Sequence, residues 1–225
     1  MAGVNQNISE ELLPERLSVK AVMGGSIFES LASGVTFVLA LVGVAEIVPE
    51  QMLLWSVIAM GAAFLFEGVG ISMRYSKLLA ETSKDRWEKA EFGTGVSAEF
   101  IGGAVGLVLG IVAFTGFHRA AMLPTALLVY GITLLLSSGL TFRLSALEIE
   151  GAEESAKFKA VAREAVSVSA LTELLLGIGA GILGIIALMS TTPVPVTIVG
   201  MLIVGFAGLV TGTAVTSRMY GLIRR

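Results

Sequence analysis

Apolar residues fall in six runs of about 20, the length that spans a bilayer core. They cover roughly 24–45, 51–73, 97–117, 120–142, 167–189 and 194–216. Two kinds of segment separate them. The connections "EIVPEQ", "TGFHRAAMLP" and "STTPVPV" are short and hold the prolines that suit turns and helix starts. The segments "SEELLPERLSVKAVM", "TSKDRWEKAEF" and "AEESAKFKAVAREAVSV" are longer and of mixed charge, with apolar positions at Leu12, Leu13, Leu17, Trp87, Phe92, Phe158 and Val161. With Ser9 and Thr82 or Ser83 as N-caps, they read as cytoplasmic amphipathic helices lying at the interface or running into the span that follows. No proline lies between Ala152 and Ser190, so one helix of nearly forty residues fits there.

The runs repeat in pairs. "FESLASGVTFVLALVG", "AEFIGGAVGLVLGIVA" and "LTELLLGIGAGILGIIA" align on Glu29, Glu99 and Glu173, and the same alignment brings Gly61, Gly131 and Gly205 into register. Farther on, "GISMRYS", "GLTFRLS" and "AVTSRMY" bring Arg74, Arg143 and Arg218 together after a one-residue slip. The expected fold is therefore an all-α integral membrane protein of six transmembrane helices, arranged as three tandem hairpins. An even number of crossings separates them, so they are parallel repeats rather than inverted ones. The organisation is 1–23, an N-terminal cytoplasmic segment; 24–81, the first hairpin; 82–150 and 151–225, each a connector helix followed by a hairpin. The first run has no basic leader or small-residue cleavage site before it and is expected to be retained.

Composition agrees: 55% of residues are hydrophobic and 15% charged, at a mean hydropathy of +0.86. Of 15 Lys and Arg residues, Arg119 is the one that does not fall in the N-terminal segment, the 74–95 and 143–165 connections or the C-terminus. The positive-inside rule then places both termini in the cytoplasm of a prokaryotic plasma (inner) membrane. Cysteine is absent, which excludes disulfides, thiolate catalysis and Cys-ligated metal. His118 is the single histidine, and the net charge of -3 argues against nucleic acid. No nucleophile–base pair or phosphate loop is apparent. "GIGAGILG" lies mid-span with no strand before it, and packing explains it better. No enzyme activity, cofactor or metal is expected.

The glutamates are the polar feature that needs explaining. Offsets of 4, 7, 11 and 14 residues stay within about 40° of one helix face. From Glu29 they reach Ser33, Thr36, Ala40 and Gly43; from Glu99, Gly103, Gly106, Gly110 and Ala113; from Glu173, Gly177, Ala180, Gly184 and Ala187. Such stripes let helix backbones approach in lipid, so the glutamates are placed on helix–helix seams. Phe28, Phe37, Leu39 and Leu41 fall on other faces. Folding the first hairpin about residues 48–49 sets Glu29 level with Glu67. The same offset sets Glu99 against Ser137 and Glu173 against Thr211. Two carboxyls this close do not both ionise readily and can share a proton; alternatively Arg74, seven residues after Glu67, relieves the charge. Arg74, Arg143 and Arg218 are headgroup anchors or charge partners at the cytoplasmic ends. His118 and Arg119 are expected as solvated residues of an outer loop or as lipid-headgroup contacts, and Trp55 and Trp87 at the membrane interfaces.

The consecutive hairpins, the Gly-rich first helices such as "IGGAVGLVLGIVAF" and the second helices that close with a small residue and then arginine resemble the HdeD-like family. These are small bacterial and archaeal membrane proteins associated with acid resistance. The resemblance covers nearly all of residues 24–220 and implies an integral membrane protein with a stress role. The residues themselves point to a non-enzymatic membrane component acting through helix packing, with the glutamates as interhelical locks. Its partners are the bilayer and either further copies of itself or a larger membrane complex. The alternative is a proton- or cation-conducting channel or transporter using the same glutamates. It requires a polar path outward, for which Thr36, Ser56, Thr115 and Thr133 are the few candidates.

Overall fold

A computed structural model describes residues 27–82, 86–151 and 156–223, with side chains over 27–69, 98–139 and 170–213. These residues form six helices: α1 Ile27–Val44, α2 Pro49–Thr82, α3 Arg86–Phe114, α4 Arg119–Gly151, α5 Ala156–Met189 and α6 Pro193–Ile223. Five contain an apolar stretch long enough to cross a membrane: Ile27–Val44, Pro49–Val69, Arg119–Gly139, Ala170–Met189 and Pro193–Thr213. In α3 the apolar part among the residues with described side chains is Ala98–Phe114. The helices α2 to α6 continue well past these stretches at one end. The charged connectors are thus not separate elements lying beside the spans. "TSKDRWEKAEF" leads into α3, and α5 is one continuous helix of 34 residues, as the proline-free run predicts. The N-terminal segment 1–23 lies outside the described residues.

At the opposite end the connections are tight, and the local sequence explains each. At the end of α1 the Glu46 and Ile47 amides return to the carbonyls of Gly43 and Val42 at 3.1 and 3.4 Å, a Schellman closure with Glu46 in the left-handed region at φ 61°. Pro49 then starts α2, where a missing amide costs nothing. Gly116, at φ 92°, follows α3 in the same role, and Pro193 opens α6. Arg119 caps α3 from outside: its Nε donates to the Ala113 carbonyl at 3.0 Å, and Nη1 pairs with Glu50 Oε1 at 3.0 Å.

Half or more of the apolar stretches of α2, α4 and α6 are buried, against 28% for those of α1 and α5. The three even-numbered helices therefore form the centre and touch one another. Their contact is filled by Leu53, Val57, Met60, Phe64, Tyr130, Leu134, Met201 and Val204, all nearly or fully buried. The odd-numbered helices turn Leu31, Val38, Ile101, Val108, Leu175 and Ile182 outward, the apolar band a lipid environment accepts.

Three close junctions join the layers. A Cβ on Gly61 of α2 would lie 2.7 Å from the Leu107 amide of α3. One on Gly131 of α4 would lie 2.5 Å from the Gly181 amide of α5, and one on Gly205 of α6 would lie 2.8 Å from the Phe37 amide of α1. Backbone meets backbone at each because no side chain intervenes. Each junction joins helices that belong to different predicted hairpins, and α4 packs more extensively on α5 than on α3.

Candidate acidic site at one end of the bundle

The small-residue stripes are what bring the acidic side chains inward. Gly103 sits against the Leu65 backbone of α2, and Gly177 against the Gly131 carbonyl and Leu135 amide of α4. On α1 the hydroxyl of Ser33 occupies the space beside Gly208 of α6. One turn before each of these contacts lies a glutamate, carried by the same helix face into the same junction. Glu29, Glu67, Glu99 and Glu173 are 1%, 8%, 3% and 4% exposed, and Ser137 and Thr211 are equally buried.

Their partners differ from the simple hairpin pairing. The Thr211 hydroxyl donates to Glu29 Oε1 at 2.9 Å and does not reach across its own hairpin to Glu173. The reason is the α6–α1 junction: Gly205, Gly208 and Gly212 all lie against α1, so the polar residue on that face of α6 meets the carboxyl of α1. Glu67 stands within hydrogen-bonding reach of Glu29, the one carboxyl pair expected from folding the first hairpin. Glu99 lies in the electrostatic field of Glu67, Glu29 and Glu173, which links the four carboxyls pair by pair without drawing three of them to one point. Ser137 Oγ donates to the Leu134 carbonyl at 3.2 Å. Glu29 Oε2 and Glu99 Oε2 are buried with no hydroxyl or amide donor.

On the lipid side, the Phe28 and Phe66 rings lie 4.2 Å apart between centroids, both partly exposed. Sequence reasoning placed Phe28 outside the seam but did not pair it with Phe66. The signal was present: Phe-Glu occurs at 28–29 and again at 66–67. The side chains of Arg74, Arg143, Arg218 and Trp87 lie outside the described residues. Trp55 is half-exposed and meets Phe114 edge-on at 5.4 Å.

The hydroxyls considered for an outward path are turned to the backbone. Thr36 donates to the Ala32 and Ser56 carbonyls, Ser56 to Leu53, Thr115 to Val112 and Thr133 to Val129. Beyond the acidic site the centre holds Met60, Phe64, Tyr130 and Met201, with the Tyr130 hydroxyl donating to the Val57 carbonyl at 2.6 Å. No family model, curated protein or solved structure matches the chain.

Proposed function

We propose that the chain is a non-enzymatic membrane protein of six spans in three tandem hairpins, whose acidic site locks the bundle shut at its cytoplasmic end. Three junctions of one register support the repeat. Leu107, Gly181 and Phe37 each lie eight residues after Glu99, Glu173 and Glu29, and they meet Gly61, Gly131 and Gly205. By that register α2 packs on α3, α4 on α5 and α6 on α1, a ring closed between the first and last spans. It also carries Glu67 toward Glu99 and Ser137 toward Glu173, as Thr211 goes to Glu29.

The observation that carries the lock is the Thr211–Glu29 hydrogen bond. A polar contact in an apolar bundle holds two helices that short connections do not join. The apolar filling beyond the site supports a closed bundle over a conducting one. The distribution of Lys and Arg supports cytoplasmic termini in a prokaryotic plasma membrane, and the HdeD-like resemblance supports an acid-response role. Association with further copies, or with a larger membrane complex, would use the exposed faces of α1, α3 and α5.

Reconstitution in liposomes tests this reading. Glu29→Ala, Glu99→Ala and Glu173→Ala, which delete the carboxyl itself, are expected to lower thermal stability or oligomer yield. A proton or cation flux in the unaltered protein that these changes abolish would overturn the lock in favour of conduction.

A further inference from the structure

Among the residues with described side chains, those that face the acidic site do not balance its charge. From α1 comes Glu29, from α2 Glu67, from α3 Glu99 and from α5 Glu173; α4 and α6 supply Ser137 and Thr211. Among the residues with described side chains the single Lys or Arg is Arg119, and it pairs with Glu50 at the far end. Four ionised carboxylates in an apolar bundle would be prohibitive. Thr211 has one hydroxyl proton, which lies nearest Glu29 Oε1 at 2.9 Å and is shared with the Ala207 and Gly208 carbonyls at 3.1 and 3.3 Å. The buried Oε2 atoms of Glu29 and Glu99 receive none. An ionised carboxylate only accepts, so two carboxyls in hydrogen-bonding reach of each other need a proton on one of them. Among the described residues no three acidic groups converge closely enough to enclose a metal ion.

We propose that the ligand of this site is the proton: Glu29 and Glu67 hold one between them, and Glu99 binds a second. The assignment rests on the locked bundle proposed above and names what the lock binds. No bond other than O–H is made or broken; each proton is exchanged with water. Phe28 and Phe66 cover the lipid side. Glu67, the most exposed of the four, is the group through which protons arrive from the cytoplasmic edge. A filled site lets α1 and α6 close. An emptied site adds like charges to the junction that Thr211 and Glu29 hold together.

The test is infrared spectroscopy of the full chain in liposomes of uncharged lipid, titrated with acid and base. The unaltered protein is expected to show a protonated-carboxyl stretch at neutral pH. Glu29→Gln and Glu67→Gln should each shift or remove the same component of it, because that proton is shared, and Glu99→Gln should remove a different one. Absence of the band at neutral pH, or a band that none of the three changes alters, overturns the proposal. So does its saturable loss on adding sodium, potassium or calcium at fixed pH, which would make the site a cation site. Glu67→Gln and Glu99→Gln leave the Thr211 contact in place and serve if Glu29→Gln does not fold. The lock is read separately from the melting temperature of Thr211→Val, which removes the contact and leaves every carboxyl in place. Unchanged melting of Thr211→Val with an altered band in the Gln variants retains the proton site and removes the lock; lowered melting of Thr211→Val with an unaltered band removes the proton site alone.

Discussion

The hydroxyl of Thr211 donates to Glu29 Oε1 at 2.9 Å, joining residues 182 positions apart. Thr211→Val keeps the shape and deletes the donor, leaving one more buried carboxyl oxygen unsatisfied. A group so stranded costs about 1–3 kcal/mol. Thr211→Val is therefore expected to lower the unfolding midpoint in detergent, and Thr211→Ser to keep most of the stability. Equal melting of both variants and the parent would mean the contact does not hold α6 to α1.

The seam glycines separate close packing from mere helix propensity. A Cβ at Gly61, Gly131 or Gly205 would meet a neighbouring backbone amide at 2.5–2.8 Å, so alanine there forces two helices apart. Overpacking of this kind costs about 1–3 kcal/mol. A Cβ at Gly139 or Gly179 meets nothing within 4 Å. Alanine at those two should be neutral or stabilising by up to about 1 kcal/mol, since glycine is the poorer helix former. Chemical denaturation of the five variants reads the contrast, and the idea fails if both groups behave alike.

The face that carries each glutamate was legible in the sequence because a helix face needs only residue spacing to define it. What that face meets was not. Small residues permit close approach to any neighbour, and α3 has α2 on one side and α4 on the other. The stripe on α3 therefore said nothing about which would receive it, and Thr211 was set against Glu173 instead of Glu29. The extension of α2 to α6 beyond their apolar stretches was partly legible, since only the missing proline marked the continuity of α5. The Glu29–Glu67 pair was legible because a tight turn fixes the register of one hairpin.

Tyr130 illustrates a contact that spacing alone could not show. Its ring occupies the space that a Cβ on Gly106 would take, and its hydroxyl donates to the Val57 carbonyl at 2.6 Å. Two changes to this niche should differ in size. Tyr130→Phe loses one hydrogen bond but keeps the ring, a cost of about 1 kcal/mol. Gly106→Ala collides with the ring and should cost more, about 1–3 kcal/mol. The order of the two unfolding midpoints is the test, and a reversed order would place the ring elsewhere.

Closure between the first and last spans can be trapped covalently. The chain has no cysteine, so introduced thiols report without background. A Cβ on Gly34 of α1 would lie 3.4 Å from Leu209 Cδ2 on α6, so the Leu209 side chain reaches position 34. The Leu209 Cβ stands two bonds behind that atom, and disulfide formation needs Cβ atoms about 3.5–4.5 Å apart, so helix motion must bring the pair together. The double variant Gly34→Cys with Leu209→Cys is therefore expected to oxidise within one chain and to run faster on a denaturing gel. Gly139→Cys provides the control partner for Gly34→Cys, because a Cβ at Gly139 meets nothing within 4 Å. Dimers from the first pair in place of the internal link would mean that α1 meets α6 of another copy, and no link at all would mean the bundle is open.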